Sequence, residues 1–188
     1  LVELWANIET LETLRVSNCP NLTRLVTPYE SNNALVTLEI TNCPLVETVD
    51  LDDVTTTLQT IIIDSCGLTG ELNLSNFWAL ETVSVNDCSS LIGLDVSYSS
   101  SLTSLSAVNS GLAYVNASGC DNLTAPNVSG NRYVVETQDM WVDMSGVTRF
   151  SGDKVTSVVS GGTFTDTVFN FDYDSTEIIY TYDLGNGY

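Results

Sequence analysis

Apolar residues recur along most of this 188-residue chain in short phrases of the form L-x-x-L-x-V. In residues 80–123 the phrase returns every ten or eleven residues. Apolar residues at alternating positions predict half-buried strands, and a fixed period predicts that successive phrases stack as coils of a solenoid. The second apolar position of each phrase is held by Leu4, Leu14, Leu25, Leu38, Val49, Ile61, Leu72, Val83, Leu94, Leu105 and Val115.

Alternate phrases differ, because every second one carries a thiol or hydroxyl three positions after its last apolar residue. These positions are Cys19, Cys43, Cys66, Cys88 and Ser110. The repeating unit is therefore a double phrase of about 22 to 24 residues. Where the chain turns out of a strand, backbone groups need side-chain partners, and a small buried cysteine with a weak thiol donor can supply one. We expect these five residues to form a structural ladder along the solenoid.

The double phrase resembles the unit of the leucine-rich repeat family, L-x-x-L-x-L-x-x-(N/C)-x-L. Five consecutive units match it, beginning at Leu11, Leu35, Leu58, Leu80 and Leu102. The second half of a unit, as in residues 91–97 (LIGLDVS), is similar to the short repeats of bacterial internalin-like surface proteins. The resemblance covers roughly residues 1–132, departs from the apolar pattern at Thr27, and implies a leucine-rich repeat solenoid with little helix.

The composition changes near Arg132, because all five cysteines precede it and ten of the 16 aromatic residues follow it. Alternating residues predict strands in four later segments: 140–144, 155–159, 167–174 and 177–184. The last two segments would be joined at Ser175 and Thr176.

We therefore expect a mainly β chain with two domains. Residues 1–132 would form the solenoid, and residues 133–188 a β-rich module that either caps the repeat array or is part of an immunoglobulin-like sandwich. The turn signal at residues 185–187 (GNG) is followed only by Tyr188, so we expect the C-terminal module to be truncated and the native chain to continue.

Charge and composition exclude several functions. Five Lys and Arg against 24 Asp and Glu give a net charge of −19, which repels nucleic acid. No apolar run is long enough to cross a bilayer, so we expect no membrane insertion of this piece. The chain has no histidine, which removes Ser-His-Asp and Cys-His catalysis, and we predict that it is not an enzyme and holds no cofactor.

Three further features of the sequence carry secondary predictions. Cys120 lies outside the main ladder column, so it is the thiol that we would test for reactivity. Asp172, Asp174 and Glu177 offer hard oxygen ligands to calcium, although they do not match the twelve-residue calcium loop, and a solvated acidic surface is the competing interpretation. The five N-x-(S/T) sequons are expected to reflect the repeat, not glycosylation.

The outward residues of the repeat strands form three columns across neighbouring coils. Those that we predict to contact a ligand are Thr37, Glu39, Thr60, Ile62, Asp64, Thr82, Ser84, Asn86 and Val108. One column consists of hydroxyl residues only. Either threonine is favoured there because it suits solvent-facing strands and pairs with threonine on the next strand, or the column is a polar platform for a glycan or an extended peptide. The face measures roughly 25 by 16 Å, or on the order of 400 Å².

The sequence thus favours a non-catalytic recognition or adhesion module of an exported, cell-surface bacterial protein, with a protein, peptide or glycan as its ligand. The alternative is an architectural component, such as a coat, phage-particle or extracellular filament element, that self-associates. The two hypotheses differ in whether the hydroxyl column stays open or is covered by copies of the chain.

Overall fold

The computed structural model describes residues 2–6, 10–27, 34–51, 54–131, 133–134, 141–144, 152–172 and 177–182. As predicted, the protein is mainly β, and the repeat region forms a parallel β-solenoid of about five turns. One face, here called the front face, is a five-stranded parallel sheet. Its strands are β2 (Thr13–Ser17), β4 (Thr37–Thr41), β6 (Thr60–Asp64), β8 (Thr82–Ser84) and β10 (Ser104–Ser106).

The opposite face of the solenoid consists of two separate three-stranded parallel sheets. The first comprises β1 (Glu3–Trp5), β3 (Arg24–Val26) and β5 (Val49–Asp50). The second comprises β7 (Gly70–Asn73), β9 (Leu91–Asp95) and β11 (Tyr114–Asn116). The front strands alternate with these back strands along the sequence, so each double phrase makes one turn.

The core lies between the front and back sheets. On the front sheet Leu38, Ile61 and Val83 are in register with one another and are fully buried. No coil encloses its own apolar side chains, so burial depends on the neighbouring coils. Thr27, which breaks the apolar pattern, is also buried, and its hydroxyl donates to the carbonyl of Asp50 at 2.7 Å. That hydrogen bond explains how a polar residue is accommodated there.

The strands of the C-terminal module are β12 (Tyr133–Val134), β13 (Trp141–Asp143), β14 (Val155–Ser160), β15 (Gly162–Thr165), β16 (Val168–Phe171) and β17 (Glu177–Tyr182). They form two antiparallel sheets, ordered β12-β17-β14 and β13-β16-β15. A short 3-10 helix at Gly152–Lys154 precedes β14.

All four predicted C-terminal strand segments contain a strand. However, β16 and β17, which we expected to be joined at Ser175 and Thr176, lie in different sheets and do not pair with each other. The alternation within β16 is confirmed, because Phe169 and Phe171 are both buried. The predicted joint and the turn at residues 185–187 lie outside the described residues.

The C-terminal module lies against the outer face of the second back sheet. Tyr114 of β11 is 1% exposed and belongs to an apolar cluster with Met144 and Phe169. The Tyr180 hydroxyl donates to the carbonyl of Ala113. On the neighbouring strand β9, a Cβ atom at Gly93 would lie 2.3 Å from Cζ of Tyr114, so only glycine lets the tyrosine ring approach the strand this closely.

Candidate functional site

The hydroxyl residues of the front face form a row across the strands. Strand pairing places Thr13 opposite Thr37, Thr37 opposite Thr60, Thr60 opposite Thr82, and Thr82 opposite Ser104. The predicted column is therefore confirmed. With strands about 4.8 Å apart, the four intervals give a row about 19 Å long, parallel to the solenoid axis.

The four hydroxyls from Thr37 to Ser104 take no part in the hydrogen bonds that join the described coils. The side chains of Thr37, Thr60 and Thr82 are half-buried, and that of Ser104 is exposed. None of the four donates or accepts a side-chain hydrogen bond within the part of the chain that the structure describes, and they do not bond to one another. Hydrogen bonding between neighbouring threonines, one explanation for such a column, is therefore not what the row provides.

The row beside the hydroxyls is mixed. Arg15 Nε lies 2.8 Å from Oε2 of Glu39, so these two charges form an ion pair on the surface. A surface pair of this kind contributes little to stability, but it neutralises the Glu39 charge locally. Ile62 follows on the next strand as a half-buried apolar residue, and Ser84 and Ser106 complete the row.

The third row contains predicted ligand contacts that instead bond to neighbouring coils. Oδ1 of Asp64 accepts from the Ser84 hydroxyl and from the backbone N–H of Asn86, both at 2.9 Å. Oδ1 of Asn86 in turn accepts from the Ser106 hydroxyl and the backbone N–H of Val108, both at 2.8 Å. Asp64, Ser84 and Asn86 thus have structural roles. Val108 is half-buried at the end of this row.

The ladder cysteines bond to backbone carbonyls of the solenoid. The Cys66 thiol donates to the carbonyl of Ile40, on the preceding coil, at 3.6 Å, and the Cys88 thiol donates to that of Ile63 at 3.2 Å. Each thiol also contacts the carbonyl two residues before it in its own coil. The two remaining thiols show the same local bond at 3.4 Å, Cys19 to Ser17 and Cys43 to Thr41.

Ser110 shows how a hydroxyl serves the same position. Its Oγ donates to the carbonyl of Val85 at 2.5 Å and accepts from the backbone N–H of Cys88 at 3.4 Å. The ladder side chain therefore satisfies backbone groups on the preceding coil. These groups are buried and would otherwise lack partners.

Burial makes three of the ladder thiols poor nucleophiles. It raises the pKa of Cys66 to about 12 and that of Cys88 to about 11, and it also raises the pKa of Cys43. The thiolate is the nucleophilic and metal-binding form of cysteine. At neutral pH these residues are protonated structural donors.

The ladder has a sixth member that the sequence analysis missed. Oδ1 of Asn131 accepts from the backbone N–H of Ser110 at 2.8 Å, and its Nδ2 donates to the carbonyls of Ala107 at 2.6 Å and Val128 at 2.7 Å. Asn131 thus continues the ladder by one coil. The signal was present in the sequence, because Asn131 lies three positions after Val128, the same offset as in every other unit.

A second missed feature is the residue immediately before each ladder position. All six of these residues have a left-handed backbone. Gly130 has a φ of 71°, and the other five have a φ of 54° or 55°: Asn18, Asn42, Ser65, Asp87 and Asn109. Asparagine and aspartate tolerate this region better than most residues, so the recurring Asn or Asp marks a tight turn. The pair N-C or D-C, which occurs at residues 18–19, 42–43 and 87–88, is therefore a turn signal as well as part of the repeat.

The surroundings of Cys120, the thiol singled out for a test of reactivity, do not favour a reactive thiol. Cys120 is fully buried, burial raises its pKa, and its thiol donates to the carbonyl of Val96 at 3.0 Å. One coil earlier, the Ser99 hydroxyl makes the corresponding bond to the carbonyl of Leu74 at 3.0 Å. Cys120 thus belongs to a second, shorter ladder on the back of the solenoid.

Three of the five sequons have a structural explanation. The side-chain oxygens of Asn73, Asn116 and Asn127 each accept from the backbone N–H two residues later, at 3.0 to 3.4 Å. Asp95 makes the same bond in its own coil at 2.8 Å. These local turns are typical of Asn and Asp, which agrees with the interpretation of these sequons as part of the repeat.

No metal site is visible in the described residues, since no three Cys, Asp or Glu side chains converge there. Asp172 of the predicted calcium cluster is exposed, whereas Asp174 and the side chain of Glu177 lie outside the described residues. The described part of the chain also contains no helix long and apolar enough to span a membrane.

A cleft of about 380 Å³ lies between β5 and β7, where the two back sheets separate. Glu47, Asp50 and Glu71 line it, above apolar residues that include Leu72 and Phe77. This cleft was not predicted, because the repeat pattern does not show where the pairing of the back strands is interrupted.

Comparison of the chain with protein-family models, with curated proteins and with solved structures found no match. The fold is established as a parallel β-solenoid with a β-rich module after it. Function has to be argued from the geometry of the front face.

Proposed function

We propose that this protein is a non-catalytic recognition or adhesion module that binds a protein, peptide or glycan through the front face. The observation that carries the proposal is the row of hydroxyls from Thr37 to Ser104, which form no side-chain hydrogen bond with the residues that the structure describes. A hydroxyl can donate one hydrogen bond and accept two. The row therefore offers a regular set of polar contacts, beside the apolar side chain of Ile62.

We further propose that the solenoid is a leucine-rich repeat array of an exported bacterial surface protein. The five matched units and the cysteine ladder at the N/C position of the repeat support the family. The net charge of −19 is compatible with a solvated protein outside the cell. Each of these points is an inference from sequence pattern and composition.

The expected affinity is modest. The front face presents on the order of 400 Å², whereas a standard protein interface takes about 800 Å² from each partner. Several copies displayed on one surface would compensate through avidity.

The test is a binding screen of glycans and peptides on the purified chain, with Thr60→Val and Ile62→Ser as front-face variants. Valine keeps the β-branched shape but removes the hydroxyl. Thr69→Val is the matched control, because Thr69 is an exposed threonine at the cleft on the other side of the solenoid. A ligand that is lost with the front-face variants and kept with the control supports the proposal. A ligand whose binding is unchanged in both front-face variants contradicts the proposal.

The architectural alternative is favoured by a different observation, the exposure of large aromatic side chains. Trp5, Trp78 and Tyr98 are 56%, 59% and 61% exposed. Exposed aromatic residues are common at protein contacts. Light scattering across a concentration series separates the two functions: ordered assembly that is lost on replacing these residues supports the architectural role, and a stable monomer contradicts it.

A further inference from the structure

The hydroxyl row also indicates the kind of ligand. We propose that the front face binds an unbranched polysaccharide without acidic groups, lying across the strands along the solenoid axis. This inference rests on the proposed function and specifies its ligand.

The direction of the hydroxyl row favours a ligand that crosses the strands. The uncommitted hydroxyls repeat once per coil, so they follow the solenoid axis and cross the strands at right angles. A peptide that adds to a sheet lies along the strand direction and uses an edge. At the β10 edge that position is already taken, because Asn127 donates to the carbonyl of Leu105 at 2.9 Å and accepts from the N–H of Ala107 at 2.8 Å. A ligand on the row itself has to run along the axis.

The chemical groups of the front face match those of a sugar. The row presents hydroxyls that donate and accept, as the hydroxyls of a sugar do, and it has no charged member. In the adjacent row, Ile62 supplies an apolar surface for the C–H face of a sugar ring. Ligand sites typically combine an apolar contact with a few fixed polar groups. An extended chain of sugar rings presents both features repeatedly along its length.

The negative charge of the chain favours a ligand without acidic groups. The Glu39 charge is paired with Arg15, but Asp64 lies on the same face and the whole chain carries a net charge of −19. The summed field repels polyanions and attracts or tolerates neutral and amino-bearing polymers. Acidic polysaccharides are therefore excluded from the proposal.

The length of the row sets the length of ligand that it can use. A row of about 19 Å with one hydroxyl every 4.8 Å or so accommodates a short oligosaccharide whose rings are spaced similarly. Affinity should therefore rise with the number of sugar units until the row is covered, and should then level off. An end-group site would instead bind short and long chains equally.

The experiment is calorimetric titration of the chain with β-1,4-linked N-acetylglucosamine and glucose oligomers, from disaccharide to octasaccharide, and with oligogalacturonates as acidic counterparts. We expect the length dependence described above for the neutral series and no binding of the acidic series. Loss of one hydrogen bond in Thr60→Val or Thr82→Val should weaken binding roughly fivefold. Thr69→Val should bind as the unchanged chain does, and thermal melts confirm that all three variants fold.

The outcomes separate this inference from the proposed function. Failure of the neutral oligomers to bind, binding that does not depend on length, or equal binding of the acidic series would overturn the inference. If a peptide or protein instead binds and is lost in Thr60→Val, the proposed function stands and the polysaccharide is wrong. If no ligand responds to Thr60→Val, both are wrong.

Discussion

Alkaline pH should destabilise the solenoid through its buried ladder thiols. Burial raises the pKa of Cys66 from 9.0 to about 12 and that of Cys88 from 9.0 to about 11. In the unfolded chain both thiols return to ordinary values. Above about pH 9 the unfolded state therefore loses protons that the folded state retains, and the free energy of unfolding falls as pH rises.

The magnitude follows from the difference in pKa. At about pH 10, one unit above the ordinary value, each shielded thiol lowers the free energy of unfolding by about 1.4 kcal/mol. Cys66 and Cys88 together should lower the free energy of unfolding by about 3 kcal/mol between about pH 7 and about pH 10. The loss begins near the ordinary thiol pKa and continues until the folded-state pKa is passed. Below that window these thiols should have no effect on the pH dependence of stability.

The assay is equilibrium urea unfolding under reducing conditions across this pH range. The matched variant is Cys66→Ser/Cys88→Ser, because Ser110 already shows that a hydroxyl makes the ladder bonds. Tyrosine and lysine titrate equally in both chains, so the difference between the two isolates the thiols. If both chains lose the same stability between about pH 7 and about pH 10, the thiols are not shielded and the ladder argument is refuted.

Two further predictions concern the end of the ladder and the docked module. Asn131→Ala removes both bonding atoms of the sixth ladder residue, so we expect a loss of roughly 2 kcal/mol in urea unfolding and faster hydrogen exchange at the Ser110 amide; unchanged exchange would contradict the role of Asn131. Gly93→Ala should displace the Tyr114 ring and expose it, as seen in near-ultraviolet circular dichroism. In a Tyr114→Ala background Gly93→Ala should lower the free energy of unfolding only slightly. An equal loss of stability in the two backgrounds would rule out the clash between residue 93 and the Tyr114 ring.

The front face was predictable because two periods act together. Alternation within a strand assigns each residue to a face, and a constant repeat aligns neighbouring strands, so Thr37 and Thr60 were placed in one row before any coordinates. The same reasoning placed Cys43 and Cys66 on the ladder. A regular solenoid is favourable for such prediction, because each coil contacts mainly its neighbours.

The hydrogen bonds between coils were not predictable in this way. Sequence spacing indicated that Asp64 and Asn86 face outward, but not that each accepts two hydrogen bonds from the next coil. The structural bond of Cys120 was not predictable for a related reason, because its partner, the carbonyl of Val96, lies one coil away. A side chain's bonding partners depend on how the coils stack, which spacing alone does not specify.

The docking of the C-terminal module was also missed, although the sequence carried a sign of it. Residues 91–96 read LIGLDV, an almost unbroken apolar run. A strand with one exposed face would instead alternate apolar and polar residues. Such runs are typical of strands covered on both faces. The covering partner could not be named, because Phe169 and the rest of the module come from a distant part of the chain.

The uniformity of the hydroxyl row requires an explanation that the fold does not supply. Strand propensity favours a β-branched residue at these positions, and valine would serve as well as threonine. Solubility favours polar residues, but the adjacent row meets that need with a mixture that includes Arg15, Glu39 and Ile62. Hydrogen bonds between neighbouring threonines would explain a uniform row, yet none is formed among the described residues. A contact outside the chain, one that repeats with the spacing of the coils, is the explanation that we propose.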